Sequence, residues 1–265
     1  MALLDPAIRS QALSAFPGAT RVDVPLLEVA GLSKRYGAIV VADDLHFSLE
    51  RGTCLGMIGP NGAGKSSVFN LIAGSVAPDG GTVRFEGRDV TGVSPHLRAR
   101  LGIVRAFQIP QPFPHLTVYE NVLAAASFGA GMPAAQAEAS ALDVLRGTDL
   151  LAKAETLADR LPLLDRKRLE LAKTMAARAK LLLLDEIAAG LTEREVEQLV
   201  ALIGTLKASH AIIWIEHIPH ALRVVADRIM VLHFGKNVLE GPPADVMTSQ
   251  LVKEIYMGFA ADDVA

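Results

Sequence analysis

Cysteine is nearly missing: the 265-residue chain has one, Cys54, set in the apolar run TCLGMIG. No intramolecular disulfide can form, so the expectation is a buried, reduced thiol in a cytoplasmic setting. Long apolar runs are missing too. None reaches the roughly 18–20 residues that cross a bilayer, and LLLLDEIAAGL is cut by Asp185 and Glu186. The start, MALLDPAIRSQALSAF, lacks a basic flank ahead of a long apolar run, which excludes a secretory signal. Positive charge is not in excess: 26 Lys and Arg face 29 Asp and Glu, a net charge of −3. That excludes the broad basic surface of a nucleic-acid protein. Repeats and low-complexity tracts are also lacking.

What is there, 51% apolar and 21% charged residues, suits a soluble globular chain of one large domain or two lobes. Asp5 followed by Pro6 reads as a helix cap and first turn, so residues 1–25 form an extension with a short helix over Asp5 to Phe16. From Leu26 to Gln108, short β-type runs (LLEVAGL, FSLERG, TCLGMIG, GTVRFEG, IVRAF) alternate with glycine-bearing turns. From Ile109 to Lys180 the texture becomes helical and rich in Ala and Leu, as in AAQAEASALDVLR. Strands return at Leu181 with LLLLDE and AIIWIEH, separated by the amphipathic TEREVEQLVALIGTLK. Continuous apolar strands alternating with helices predict a mostly parallel sheet covered on both faces, an α/β core interrupted by a helical lobe.

The sharpest signal is GPNGAGKSS, from Gly59 to Ser67, between the strand TCLGMI and the helix KSSVFNLIAG. It fits the phosphate-loop pattern through Gly59, Gly64, Lys65 and Ser66, with Pro60, Asn61, Gly62, Ala63 and Ser67 completing the cradle. Gly62 and Gly64 let the main chain turn so that successive amides face phosphate oxygens, and the helix start adds partial positive charge. Lys65 can reach the β- and γ-phosphates, and the Ser66 hydroxyl can join the shell of a Mg²⁺ ion. LLLLDE supplies the second part. Its polar end falls at the carboxyl edge of the sheet, where Asp185 is suited to a Mg²⁺-bound water and Glu186 to polarising an attacking water.

With both motifs in place the chain resembles the nucleotide-binding subunits of ABC transporters, over about Leu26 to Gly258. The resemblance implies a P-loop NTPase core with an N-terminal antiparallel β subdomain and an inserted helical subdomain. The core would span residues 26–108 and 181–265, and the helical subdomain residues 109–180. It places Gln108, in FQIPQPF, in the Q-loop that senses Mg²⁺ and faces the membrane subunits. AAGLT (188–192) matches the D-loop, and His217 the switch histidine of the γ-phosphate. Tyr36 matches the aromatic that stacks on adenine, with Val41 as further cover. IVRAFQ, LTVYENVLAA, the RLELAK run, AAGLTERE, IEHIPHAL and the tail ADRIMVLHFGKNVLEGPPADVM look most like the ATPases of branched-chain amino-acid importers and their relatives.

One segment departs from the family. LPLLD, from Leu161 to Asp165, stands where the resemblance expects the signature LSGGQ, which grips the γ-phosphate held by the other subunit of a dimer. Pro162, read as the first helical position, removes a hydroxyl and a main-chain donor. Leu163 and Leu164 put side chains where glycines allow close approach. Asp165 adds an acid near polyphosphate, unfavourable unless turned away. The expectation is a degenerate signature, slow ATP hydrolysis by the chain alone, and a heterodimer with a second ABC ATPase. Its further partners would be transmembrane permease subunits and, indirectly, an extracytoplasmic solute-binding protein, with no nucleic acid. Its place would be peripheral, on the cytoplasmic face of the membrane. Two rival expectations stand beside this one: a regulatory subunit that binds ATP with little hydrolysis, and a soluble ABC ATPase outside transport.

Overall fold

The computed structural model describes residues 24–262, with side chains placed through 256 except at Pro219. The helix expected over Asp5 to Phe16 lies outside the described residues. The first sheet is antiparallel. It joins β1 (Leu27–Tyr36), β2 (Ile39–Leu49), β4 (Gly80–Phe85) and β5 (Arg88–Asp89) in the order β2-β1-β4-β5. The second holds β3 (Cys54–Ile58), β6 (Ile103–Ala106), β7 (Leu181–Asp185), β8 (Ala211–Ile215), β9 (Arg228–His233) and β10 (Lys236–Gly241), in the order β10-β9-β3-β8-β7-β6. Every pairing in it is parallel except that of β10 with β9.

The fully apolar strands have a physical reason. Successive side chains alternate faces, and here both faces are covered. Leu181 and Leu183 of β7 and Ile213 and Ile215 of β8 enter the core shared with the antiparallel sheet. That core also takes Val68, Phe69, Leu71 and Ile72 from α1 (Lys65–Ala73). Leu182, Leu184, Ile212 and Trp214 enter the opposite core. There they meet α6 (Glu193–Lys207), whose start is fixed by a capping box between Thr192 and Glu195, and α7 (Pro219–Val225). Gly56 of β3 lets α7 approach closely: a Cβ there would lie 3.3 Å from Leu222 and 3.1 Å from Ile229.

Residues 109–180 carry α3 (Val118–Ala124), which runs into a π-helical turn, then α4 (Ala134–Gly147) and α5 (Leu163–Ala176). A third apolar cluster, including Val118, Val122, Ala141, Leu145, Leu169 and Ala176, fills the space between them. Helix α2 (Pro95–Leu101) sits beside the P-loop helix. Its Arg98, 1% exposed, donates Nη1 to the carbonyls of Leu71 and Ile72, each at 2.7 Å. A guanidinium thus serves carbonyls of the last turn of α1, where that of Leu71 otherwise has only the Gly74 amide, at 3.3 Å. Two short helices, α8 (Pro243–Thr248) and α9 (Gln250–Asp262), close the fold. Among the described residues no helix is long and apolar enough to cross a membrane.

Candidate functional site

The loop Gly59–Ser67 leaves the carboxyl end of β3 and opens α1. Its glycines are required by contact as well as by conformation. Gly64 has φ 106°, and a Cβ would fall 2.1 Å from the Val41 carbonyl oxygen; at Gly59 it would fall 2.2 Å from that of Leu232. The loop is therefore pressed between β2 and β9. The first main-chain bond of α1 runs from Val68 N to Gly64 O at 2.9 Å, so the amides ahead of it are not used by the helix. A cavity of about 300 Å³ lies over them, lined by Ile39, Val41, Asn61 to Ser67 and Glu186.

Lys65 is buried, and its Nζ donates to the carbonyls of Gly59 at 2.6 Å and Pro60 at 3.0 Å. Burial pushes its pKa down, opposed by the charges of Glu186 and Asp185. The ammonium is thus preplaced beside both carboxylates, on carbonyls it can exchange for a ligand's oxygens.

Asp185 ends β7, where one carboxylate oxygen is held by Arg105 of β6. Arg105 also donates to Asn70 Oδ1 at 2.7 Å and lies over the rings of Phe69 and Phe107. The next residue, Glu186, has φ 46°, an uncommon conformation for a residue with a side chain and one that recurs at functional sites. Its amide donates to Ile215 O at 2.9 Å. Its carboxylate accepts twice: from Gln108 Nε2 at 2.7 Å and from His217 Nε2 at 2.7 Å. A carboxylate can only accept, so the Nε2 nitrogen of His217 carries the proton.

Gln108, Glu186 and His217, the first and last of them 109 residues apart in the sequence, therefore meet at one carboxylate beside the phosphate loop. Val41 lines the cavity. Tyr36 does not: it ends β1 half exposed, with the Lys34 ammonium 5.5 Å from its ring, and Ile39 stands over the loop instead. Four residues were not anticipated. Arg105 holds Asp185; Glu216 binds main chain on both sides of the cluster; and Lys167 of α5 donates Nζ to the Gln108 carbonyl. Tyr256 of α9 accepts from Gly59 N at 2.9 Å. Only Lys167 left a trace in the sequence, as a charge inside an apolar helix pattern.

The segment LPLLD is resolved side chain by side chain. Pro162 caps α5 from outside, one position before the helix rather than within it. Leu164 turns into the core beneath α6 and is 8% exposed. Asp165, 3% exposed, turns inward to Lys153 and to Arg168, the latter at 3.3 Å, so the acid is directed away from the surface. Pro162 and Leu163 are exposed, Leu163 at 38% and against Gly190.

A glycine-rich loop opening a helix, a strand-end Asp-Glu pair, and a glutamine and a histidine on that glutamate define an ATP-binding cassette. The ABC transporter family matches residues 42–189, and the chain belongs to that family as an ABC-type ATPase. It is 35% identical over 252 residues to the high-affinity branched-chain amino acid transport ATP-binding protein BraF of Pseudomonas aeruginosa, covering 89% of this chain and 99% of that one. LivG of Escherichia coli, of the same description, is 34% identical with the same coverage. The ribose import ATP-binding protein RbsA 1 of Rhizobium etli is 33% identical over 88% of this chain and 46% of its own length. A solved nucleotide-free ATP-binding cassette from an ABC transporter superposes with a TM-score of 0.80 at 26% identity, covering 88% of this chain and 99% of that one.

Proposed function

We propose that the chain hydrolyses ATP to drive an importer of branched-chain amino acids or related small polar and organic-acid solutes, docked on permease subunits at the cytoplasmic face of a membrane. The similarity to BraF and LivG along nearly their whole length supports the solute class. The cluster of Gln108, Glu186 and His217 carries the enzymatic part: both contacts are 2.7 Å, and both converge on the residue after the Asp185 carboxylate.

In this mechanism the amides of the loop, the start of α1 and Lys65 bind the phosphates, with Lys65 leaving the carbonyls of Gly59 and Pro60. Val41 and Ile39 cover the base side. The donor set fits Mg²⁺: the Ser66 hydroxyl, the Asp185 oxygen that Arg105 leaves free, and the Gln108 amide oxygen are all hard oxygens. No cluster of three or more His, Cys, Asp or Glu that could hold a metal occurs among the described residues, so the ion would be shared with the nucleotide. It would neutralise phosphate charge when bound. Glu186 orients water and accepts its proton, while the His217 Nε2 proton is available to a γ-phosphate oxygen.

Residues 109–180 serve as a helical lobe whose movement pulls on Gln108 through Lys167. Pro162 offers neither a hydroxyl nor an amide, and Leu163 covers the surface where a partner's γ-phosphate would come. This supports pairing with a second ATPase that has a complete signature. In the purified transporter complex, Glu186→Gln should lower ATP turnover by about 10²-fold or more. An unchanged rate would instead favour the regulatory reading, to which the exposed Leu163 lends weight.

A further inference from the structure

Glu216 follows β8 and is 2% exposed, among the most buried acids of the chain. Burying a carboxylate is costly, and a hydroxyl would serve if a single donor needed an acceptor. This one serves two separate main-chain segments. Its Oε1 accepts from Ala188 N at 2.8 Å and from Trp214 Nε1 at 3.3 Å, and its Oε2 accepts from His217 N at 3.2 Å. Ala188 opens the AAGLT segment two residues after Glu186. His217 presents its ring to Glu186 from the other side, and Glu186 is the hydrogen-bond partner of that ring among the described residues. The ring is 39% exposed, and its contact with Glu186 depends on where the main chain of His217 is held.

Resting on the hydrolytic reading above, we infer that Glu216 is a positioning residue for the attacking-water carboxylate. A single rigid group fixes the main chain at both Ala188 and His217, and so sets the contact between His217 Nε2 and Glu186 Oε1. A displacement of the AAGLT segment is then passed to the histidine, because Ala188 cannot move without turning the carboxylate that holds His217. Burial raises the pKa of Glu216 while its three donors oppose that rise. The charged groups nearby are Lys167 of α5, whose ammonium feels Glu216, and Glu186 itself.

Glu216→Gln keeps size and shape but turns one acceptor into a donor, which must face either Ala188 N or His217 N. In the permease-bound complex, kcat for ATP should fall about 10- to 100-fold, with KM for ATP held within about twofold, since Glu216 touches no nucleotide. The discriminating measurement is a double-mutant cycle with His217→Ala. Adding Glu216→Gln to His217→Ala should change kcat by less than about twofold, whereas a group that merely supports the fold would cost the same in either background. A kcat for Glu216→Gln within twofold of wild type, a KM that rises as kcat falls, or additive losses would each overturn the inference. So would failure of both Glu216→Gln and Glu216→Asp to fold. A wild-type complex without ATPase activity, or one unaffected by Glu186→Gln, would instead overturn the functional reading beneath it.

Discussion

Gly64→Ala isolates the phosphate loop from the rest of the site. The added methyl carbon would sit 2.1 Å from the Val41 carbonyl oxygen, against an ordinary contact of 3.4 Å or more, and φ 106° is strained for any L side chain. Val41 lies within β2 between Val40 and Ala42, which pair with Arg35 and Lys34 of β1, so the strand is tethered on either side of it. The loop must therefore shift by more than an ångström, which misaligns the amides that precede Val68. Hydrogen bonds to charged groups are worth about 1.5–3 kcal/mol each. Losing two costs about 3–6 kcal/mol, or roughly 10²–10⁴ in ATP affinity. Equilibrium binding of a fluorescent ATP analogue to the purified chain measures this, and circular dichroism checks that the fold survives. Affinity within tenfold of wild type would show that the loop does not depend on the approach of Val41.

Arg98→Leu strips four carbonyls, those of Leu71, Ile72, Thr91 and Val93, of a buried donor. It should cost about 3–5 kcal/mol and lower Tm by roughly 6–20 °C; a loss under about 1 kcal/mol in denaturant titration would refute the capping role. Burial pushes the Cys54 thiol up to about 12, with the charge of Asp227 adding to it. The native chain should therefore resist thiol reagents at pH 8 and react only after unfolding. Because the unfolded thiol ionises near 9.0 while the folded one stays protonated, stability should fall as pH rises from 9.0 toward 12. A Tm independent of pH across that window, after correction with Cys54→Ala, would contradict this.

The phosphate loop and the strand-end acids were legible because their chemistry is local. Gly59 to Ser67 must be contiguous to wrap a phosphate, and four leucines before Asp185 announce a strand buried on both faces. The convergence of Gln108 and His217 on Glu186 required the family frame, since no local pattern links residues so far apart. Arg105, Glu216 and Tyr256 stayed hidden for the opposite reason: each acts on partners far away in the sequence, and isolated polar residues beside apolar runs carry no periodic signal. Tyr36, the aromatic that the resemblance matched to adenine, is not among the residues lining the cavity over the loop, whereas Ile39 and Val41 are. In LPLLD the residue types suggested four intrusions into a surface. The helix phase decides otherwise for Leu164 and Asp165, which face inward, leaving Pro162 and Leu163 as the exposed departures.

Gln108 is gripped at two places by groups of unequal tenacity. Its carbonyl holds the ammonium of Lys167, 3% exposed, whereas its amide meets Glu186 where water has access. Separating the first pair would strand a buried cation; separating the second lets water take each vacated position at little cost. A rotation of the helix that carries Lys167 would therefore part the amide from the carboxylate first, while the peptide stayed with the lobe. In the proposed mechanism the order of events would follow burial: the glutamate would be released to its water before the lobe lets go of the loop, so the timing of bond rupture, more than its geometry, would separate a poised site from a committed one.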